Sequence, residues 1–201
     1  MKFLKIIGLL FSILTMASCA TFQPQEVKMP PEKLSQKGYS LVPLNEKGWL
    51  IVERNAYDIT LLKQGVTPDE VFSIQAMPYK LPVFKTREEF VRLIKEDLGK
   101  SIEQKGSKIL KHEVFDYLIS ETDCIKSYKT IEDLTPIDIT GKPIKSGDII
   151  FEVLSLFCVH PKDKNKGFTI IYSHQHHLGE SDTLFAEKAS NLFNSAKFTD
   201  F

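Results

Sequence analysis

The residues with most to offer chemically are the run His174-Gln175-His176-His177. Neutral imidazoles suit Zn, Cu or Ni. On an extended chain His174 and His176 project to one face, because side chains alternate along a strand. Glu180 and Asp182 follow closely enough to supply oxygen donors. The run therefore nominates a zinc or copper site on His174, His176 and His177. Two plainer readings compete with it: a solvated polar loop between the last strand and the last helix, and contact with a partner. No second ligand group stands at a diagnostic spacing, and there is no His-Glu-x-x-His to decide the matter. Other chemistry is thinner. Ser173 and His174 are strand neighbours that point to opposite faces, so they make no Ser–His pair. His160, beside Pro161, reads as a loop-edge residue rather than a base. Glu88-Glu89 and Glu96-Asp97 fall on the solvent side of a helix. Gly-x-Ser-x-Gly, Ser-x-x-Lys, P-loop and dinucleotide patterns are all missing. No catalytic residue is assigned, although an enzyme whose site is assembled only by the fold stays open, because such sites are spatial.

The first 19 residues carry a different chemistry. Lys2 and Lys5 form a positive start, Ile6 to Leu14 an apolar run, and Ala17-Ser18 a small-residue stretch before Cys19. This is the pattern of a secretory signal, too short for a membrane span. Met16-Ala17-Ser18-Cys19 resembles the lipobox of bacterial lipoproteins, with Met at the position usually held by Leu. The resemblance implies that residues 1–18 are removed, that the Cys19 thiol carries a diacylglyceryl group, and that the new amine is acylated. Several acyl chains make a firm anchor, since each buried CH₂ adds about 0.8 kcal/mol. Ala20, where enteric inner-membrane lipoproteins carry Asp, points to the outer membrane. Residues 19–37, with Pro24, Pro30 and Pro31 among polar side chains, read as the lipidated cysteine and a flexible tether. Residues 38–201 read as one domain.

In that exported setting disulfides persist, and two cysteines remain. If residues 122–131 and 149–160 are antiparallel neighbours, Cys124 falls opposite Cys158 with the connection centred on Gly141-Lys142-Pro143. The same register sets Tyr128 opposite Leu154 and Thr130 opposite Glu152. Cross-strand partners sit within disulfide reach. There is no Cys-x-x-Cys to suggest redox catalysis.

The elements that would position these groups follow from pattern. Strands are expected at Tyr39–Pro43, Trp49–Arg54, Tyr57–Lys63 and Val71–Met77, then at Lys108–Ile119, Thr122–Ile131, Ile149–His160 and Phe168–His174. Thr86-Arg87-Glu88-Glu89 matches a capping box and opens a helix over 87–104 with a stripe at Phe90, Val91, Ile94, Leu98 and Ile102. A second helix is expected over 182–196, capped by Ser181. The order predicts an α+β fold: an antiparallel sheet of about seven or eight strands packed with two main helices. That order, with Gly48-Trp49 and the closing helix, is similar to the PsbP-like α/β-sandwich family, which includes membrane-associated accessory proteins. The phrase Cys158-Val159-His160-Pro161 also resembles one found in a group of uncharacterised bacterial lipoproteins.

Lys plus Arg and Asp plus Glu number 26 each, and the balance argues against a nucleic-acid partner. Three functions remain as expectations. The leading one is a lipid-anchored, non-enzymatic accessory or binding module of the cell envelope, with an envelope protein as partner. The others are an envelope metal-binding protein using the histidine run, and an enzyme.

Overall fold

The computed structural model describes residues 23–100, 107–119, 122–134 and 149–200. The signal segment, Cys19 and the turn at Gly141-Lys142-Pro143 lie outside the described residues. Among the described residues the strands are β1 (Gln25–Glu26), β2 (Leu34–Ser35), β3 (Tyr39–Leu41), β4 (Leu50–Arg54), β5 (Ile59–Gln64), β6 (Val71–Lys80), β7 (Ser107–Ile119), β8 (Thr122–Asp133), β9 (Ile149–His160), β10 (Asp163–His177) and β11 (Lys197–Phe198). The helices are α1 (Arg87–Lys100), between β6 and β7, and α2 (Phe185–Asn194), between β10 and β11.

The expected α+β sandwich is corrected by this count. Among the described residues about half lie in strands and only two helices are present, so the fold is mostly β. The reason lies in strand length. β7 to β10 run for 12 to 15 residues each, and β10 continues through the histidines to His177. α2, by contrast, starts at Phe185, and no side chain caps it.

Eight strands form one antiparallel sheet in the order β1-β4-β5-β6-β10-β9-β8-β7, and β11-β3-β2 form a small second sheet. Alternation gives the large sheet two apolar faces. One carries Ile59, Ile74, Leu156, Phe168, Ile170 and Tyr172 and is covered by the small sheet and by Phe185, Ala189, Leu192 and Phe193 of α2. Trp49, Tyr39 and Leu41 are fully buried there, each such side chain contributing about 1.5–3 kcal/mol of transfer free energy. The other face meets α1 through Phe90 and Ile94, packed on Ile125 and Val159. The Thr86 hydroxyl accepts from the Glu89 N–H at 3.3 Å, as the capping pattern predicts.

The stretch read as a tether is also corrected. β1 pairs with β4, Val27 and Leu34 are buried, and β2 pairs with β3. Residues 25–35, within that stretch, therefore pair and pack with the domain. Two-residue strands carry no periodicity for a sequence pattern to reveal.

β9 and β10 form the hairpin that positions the site. Asp163 pairs with His160, but from Gly167 onward the register moves, so that Gly167 pairs with Val159 and His174 with Glu152. A Cβ at Gly167 would stand 2.3 Å from the Cys158 carbonyl oxygen and 2.8 Å from the Tyr79 ring. Only glycine fits this bulge unless the strands move apart.

Candidate functional site

β10 presents Phe168, Ile170, Tyr172, His174 and His176 in succession to the face under α2. His174 is fully buried and His176 is 3% exposed. The solvated-loop reading of the histidines is thereby overturned. Glu152, on β9, lies directly across from His174 and reaches the same face. One nitrogen of each ring and one Glu152 oxygen lie within 4.8 Å of one another. His176 Nε2 is 3.4 Å and His174 Nδ1 3.9 Å from Glu152 Oε2. None of these three buried atoms has a hydrogen-bond partner.

The opposite side of each group is tied down. His174 Nε2 donates to Glu70 Oε1 at 3.0 Å, and Glu70 is itself held by the Val66 N–H. His176 Nδ1 donates to the His177 carbonyl oxygen at 2.7 Å. Glu152 Oε1 accepts from the Tyr128 hydroxyl at 2.7 Å, and Thr130 donates in turn to Tyr128. Phe72 stacks on the His174 ring with centroids 4.1 Å apart and nearly parallel planes. These contacts leave each neutral ring with a bare nitrogen lone pair facing Glu152.

The electrostatics agree with a carboxylate among imidazoles. His174 and His176 hold the Glu152 carboxyl far below the usual carboxylate range. Burial works against a charge on His176, but Glu152 and the His177 carbonyl outweigh it and raise its pKa.

The other nominated residues go elsewhere. His177 turns to the opposite face of β10, 3.6 Å from Asp69, and is not part of the cluster. Asp182 is engaged by Lys188 and the Leu184 N–H, and Lys188 also meets Glu46. Glu180 is exposed. Cys124 and Cys158 are joined in a disulfide at directly opposed positions of β8 and β9, with Tyr128 opposite Leu154 and Thr130 opposite Glu152 as the register predicts. Among the described residues no helix is long and apolar enough to cross a membrane.

No protein-family model matches this chain, and no curated protein matches it. Several solved structures are similar to it in fold. The solution structure of cyanobacterial PsbP (CyanoP) from Synechocystis sp. PCC 6803 aligns with a TM-score of 0.45 and 13% identity, covering 92% of this chain and 99% of that one. A point mutant of the protein Mog1 aligns at 0.44 and 11%, covering 89% and 97%. The Saccharomyces cerevisiae Ran-binding protein Mog1p aligns at 0.43 and 12%, covering 90% and 97%. A PsbP-type chain, expected from the element order, is thus among the similar structures. Likeness at this level carries nothing about function.

Reading the sequence found the two buried histidines but missed Glu152, Glu70 and Tyr128 as their partners. One signal was available: Glu152 is the only charged residue in Ile149–Val159, and a charge in a strand covered on both faces needs a partner.

Proposed function

We propose that this chain is a lipid-anchored protein of the bacterial cell envelope, facing the periplasm from the outer membrane. In this reading it is a non-enzymatic accessory or binding module whose binding site is the cluster of Glu152, His174 and His176. The observation that carries the binding role is the convergence on one point of three buried polar atoms, none with a hydrogen-bond partner and each facing only the others. Each such atom costs about 1–3 kcal/mol when left unsatisfied, and a fold that gathers three of them is built to have them satisfied by something else. The anchor rests on the lipobox-like Met16-Ala17-Ser18-Cys19, and the disulfide suits an oxidising compartment.

Six positions separate Cys19 from Gln25, a stretch that spans at most about 20 Å, so an anchor at Cys19 would keep β1 within that reach of the membrane. β1 is an edge strand, and β4, β5 and β6 lie between it and β10. At about 4.8 Å per strand, the site on β9 and β10 begins about 19 Å from that edge. An anchored domain would turn the β1 edge to the membrane and keep its site clear of the surface.

Two measurements on the untagged full-length chain expressed in a bacterial host test this. Cys19→Ala should move the protein from the membrane fraction to the soluble periplasm, and unchanged partitioning would reject the anchor. The protein released under native conditions should weigh more than after denaturation, and equal masses would reject a loaded binding site.

A further inference from the structure

We infer that Glu152, His174 and His176 form a mononuclear site for a divalent transition-metal ion, zinc or copper(II), bound through Glu152 Oε2, His174 Nδ1 and His176 Nε2 with one coordination position left open. The inference rests on the binding reading above and names its ligand.

Spacing comes first. Ligand atoms about 2.0–2.2 Å from a tetrahedral ion stand roughly 3.3–3.6 Å from one another. The separations of 3.4 and 3.9 Å from Glu152 Oε2 to the two ring nitrogens need only small closure around an ion. Lone-pair direction comes second. Metal-bound histidines typically give their other N–H to a carboxylate or a backbone carbonyl, which fixes the tautomer and raises ligand basicity. His174 does the first, to Glu70, and His176 the second, to the His177 carbonyl. The third ligand is steadied by Tyr128. All three donors therefore have an outer hydrogen-bond partner on the side away from the site, and on the side facing it only one another, without a hydrogen bond.

Donor chemistry selects the ion. Two imidazoles and one carboxylate suit zinc and copper(II). Magnesium and calcium take six or more oxygen ligands, which this site does not offer. Copper(I) prefers sulfur, and the two described cysteines are joined to each other. Among the described residues no fourth His, Cys, Asp or Glu joins the group. Three protein ligands with a water or an exchangeable ligand in the fourth place differ from a closed structural site, which fills all four. Glu152 is the partly exposed member of the three, at 15%.

The test uses the untagged full-length protein stripped of metal and titrated with zinc chloride, and separately with cobalt(II) chloride as a coloured substitute. One equivalent of zinc should bind at micromolar concentration, with no response to magnesium. Cobalt should give a visible spectrum that shifts when azide is added, because one position is open. Glu152→Gln and His176→Gln should abolish binding, while Glu70→Gln should weaken it by about 10–100-fold. His177→Ala should leave it unchanged. X-ray absorption of the zinc-loaded wild type needs no variant and should show two imidazoles with oxygen completing the shell. Absence of micromolar zinc binding would overturn the inference. So would loss of binding in His177→Ala with retention in Glu152→Gln and His176→Gln, or a sulfur or all-oxygen shell. An organic ligand found by native mass in place of a metal would overturn the metal assignment and keep the binding module. No ligand of either kind would overturn both.

Discussion

β9 and β10 carry two contrasting ends on one face of the sheet. Toward the start of β10, Phe168, Ile170 and Tyr172 pack with Leu156, and Cys158 is bonded to Cys124. Toward its end, the next two positions on the same face are His174 and His176, equally buried, opposite Glu152 and Ile150. Burial at the first end is favourable through its apolar surface leaving water, although the Tyr172 hydroxyl there also has no hydrogen-bond partner. At the second end it removes polar groups from water, and three of their atoms recover no partner. The same strand thus stabilises the fold at one end and holds an unsatisfied, pre-positioned donor set at the other. The contrast teaches that depth of burial does not identify a core. What sets the second end apart is that its three unsatisfied atoms converge within 4.8 Å of one another, whereas the Tyr172 hydroxyl belongs to no such group.

The comparison breaks most clearly at the apolar end. Phe168→Ala should cost about 3–5 kcal/mol, the range for truncating a buried aromatic. Urea unfolding would measure it, and zinc affinity should be retained in the folded fraction. Replacing both Cys124 and Cys158 by Ala should cost about 3–4 kcal/mol, because their separation of 34 residues sets the loop-closure entropy released in the unfolded chain. Denaturant midpoints with and without reductant would show the same loss in the wild type only. An equal zinc affinity in this double variant would separate the two ends functionally.

Gly167→Ala sits between the ends and sharpens the contrast. The added Cβ meets the Cys158 backbone oxygen, so the variant should lose about 1–3 kcal/mol, as overpacked positions do. Because the bulge sets the register of everything beyond it, zinc affinity should fall as well, whereas the disulfide variant keeps it.

The smallest effect is expected at the rim of the polar end. Burial alone would raise the Asp182 pKa, but Lys188 and the Leu184 N–H outweigh it and hold the carboxyl below its usual range. A carboxyl with a lowered folded pKa stabilises above its unfolded value and loses that contribution as pH falls through the folded one. Asp182→Asn should therefore cost about 1 kcal/mol near neutral pH. The deficit should shrink progressively below about pH 4, near the unfolded pKa. Thermal melts of both proteins from about pH 7 down to about pH 3 would follow it across that range. A deficit unchanged at the lowest pH would assign the loss to packing instead of charge.

Much of this architecture is legible in local pattern. Alternation marks β4 to β10, the Thr86 cap marks α1, and a constant index sum across β8 and β9 brings Cys124 to Cys158, because an unbroken antiparallel ladder has one register. Patterning also picks out His174 and His176 as sharing a face. It overestimates helix and misses β1, β2 and β11, whose two residues apiece have no period. The polar cluster required the tertiary structure for a specific reason. A hairpin continued from the Asp163–His160 pair would set His174 opposite Ile149. The shift between Asp163 and Gly167 moves the ladder so that His174 meets Glu152 instead. That shift depends on an approach of backbone and Tyr79 ring to Gly167 that only packing decides. The sequence by itself determined which residues alternate inward along each strand. Only the tertiary structure decided which of them face one another, because one bulge changes every partner beyond it.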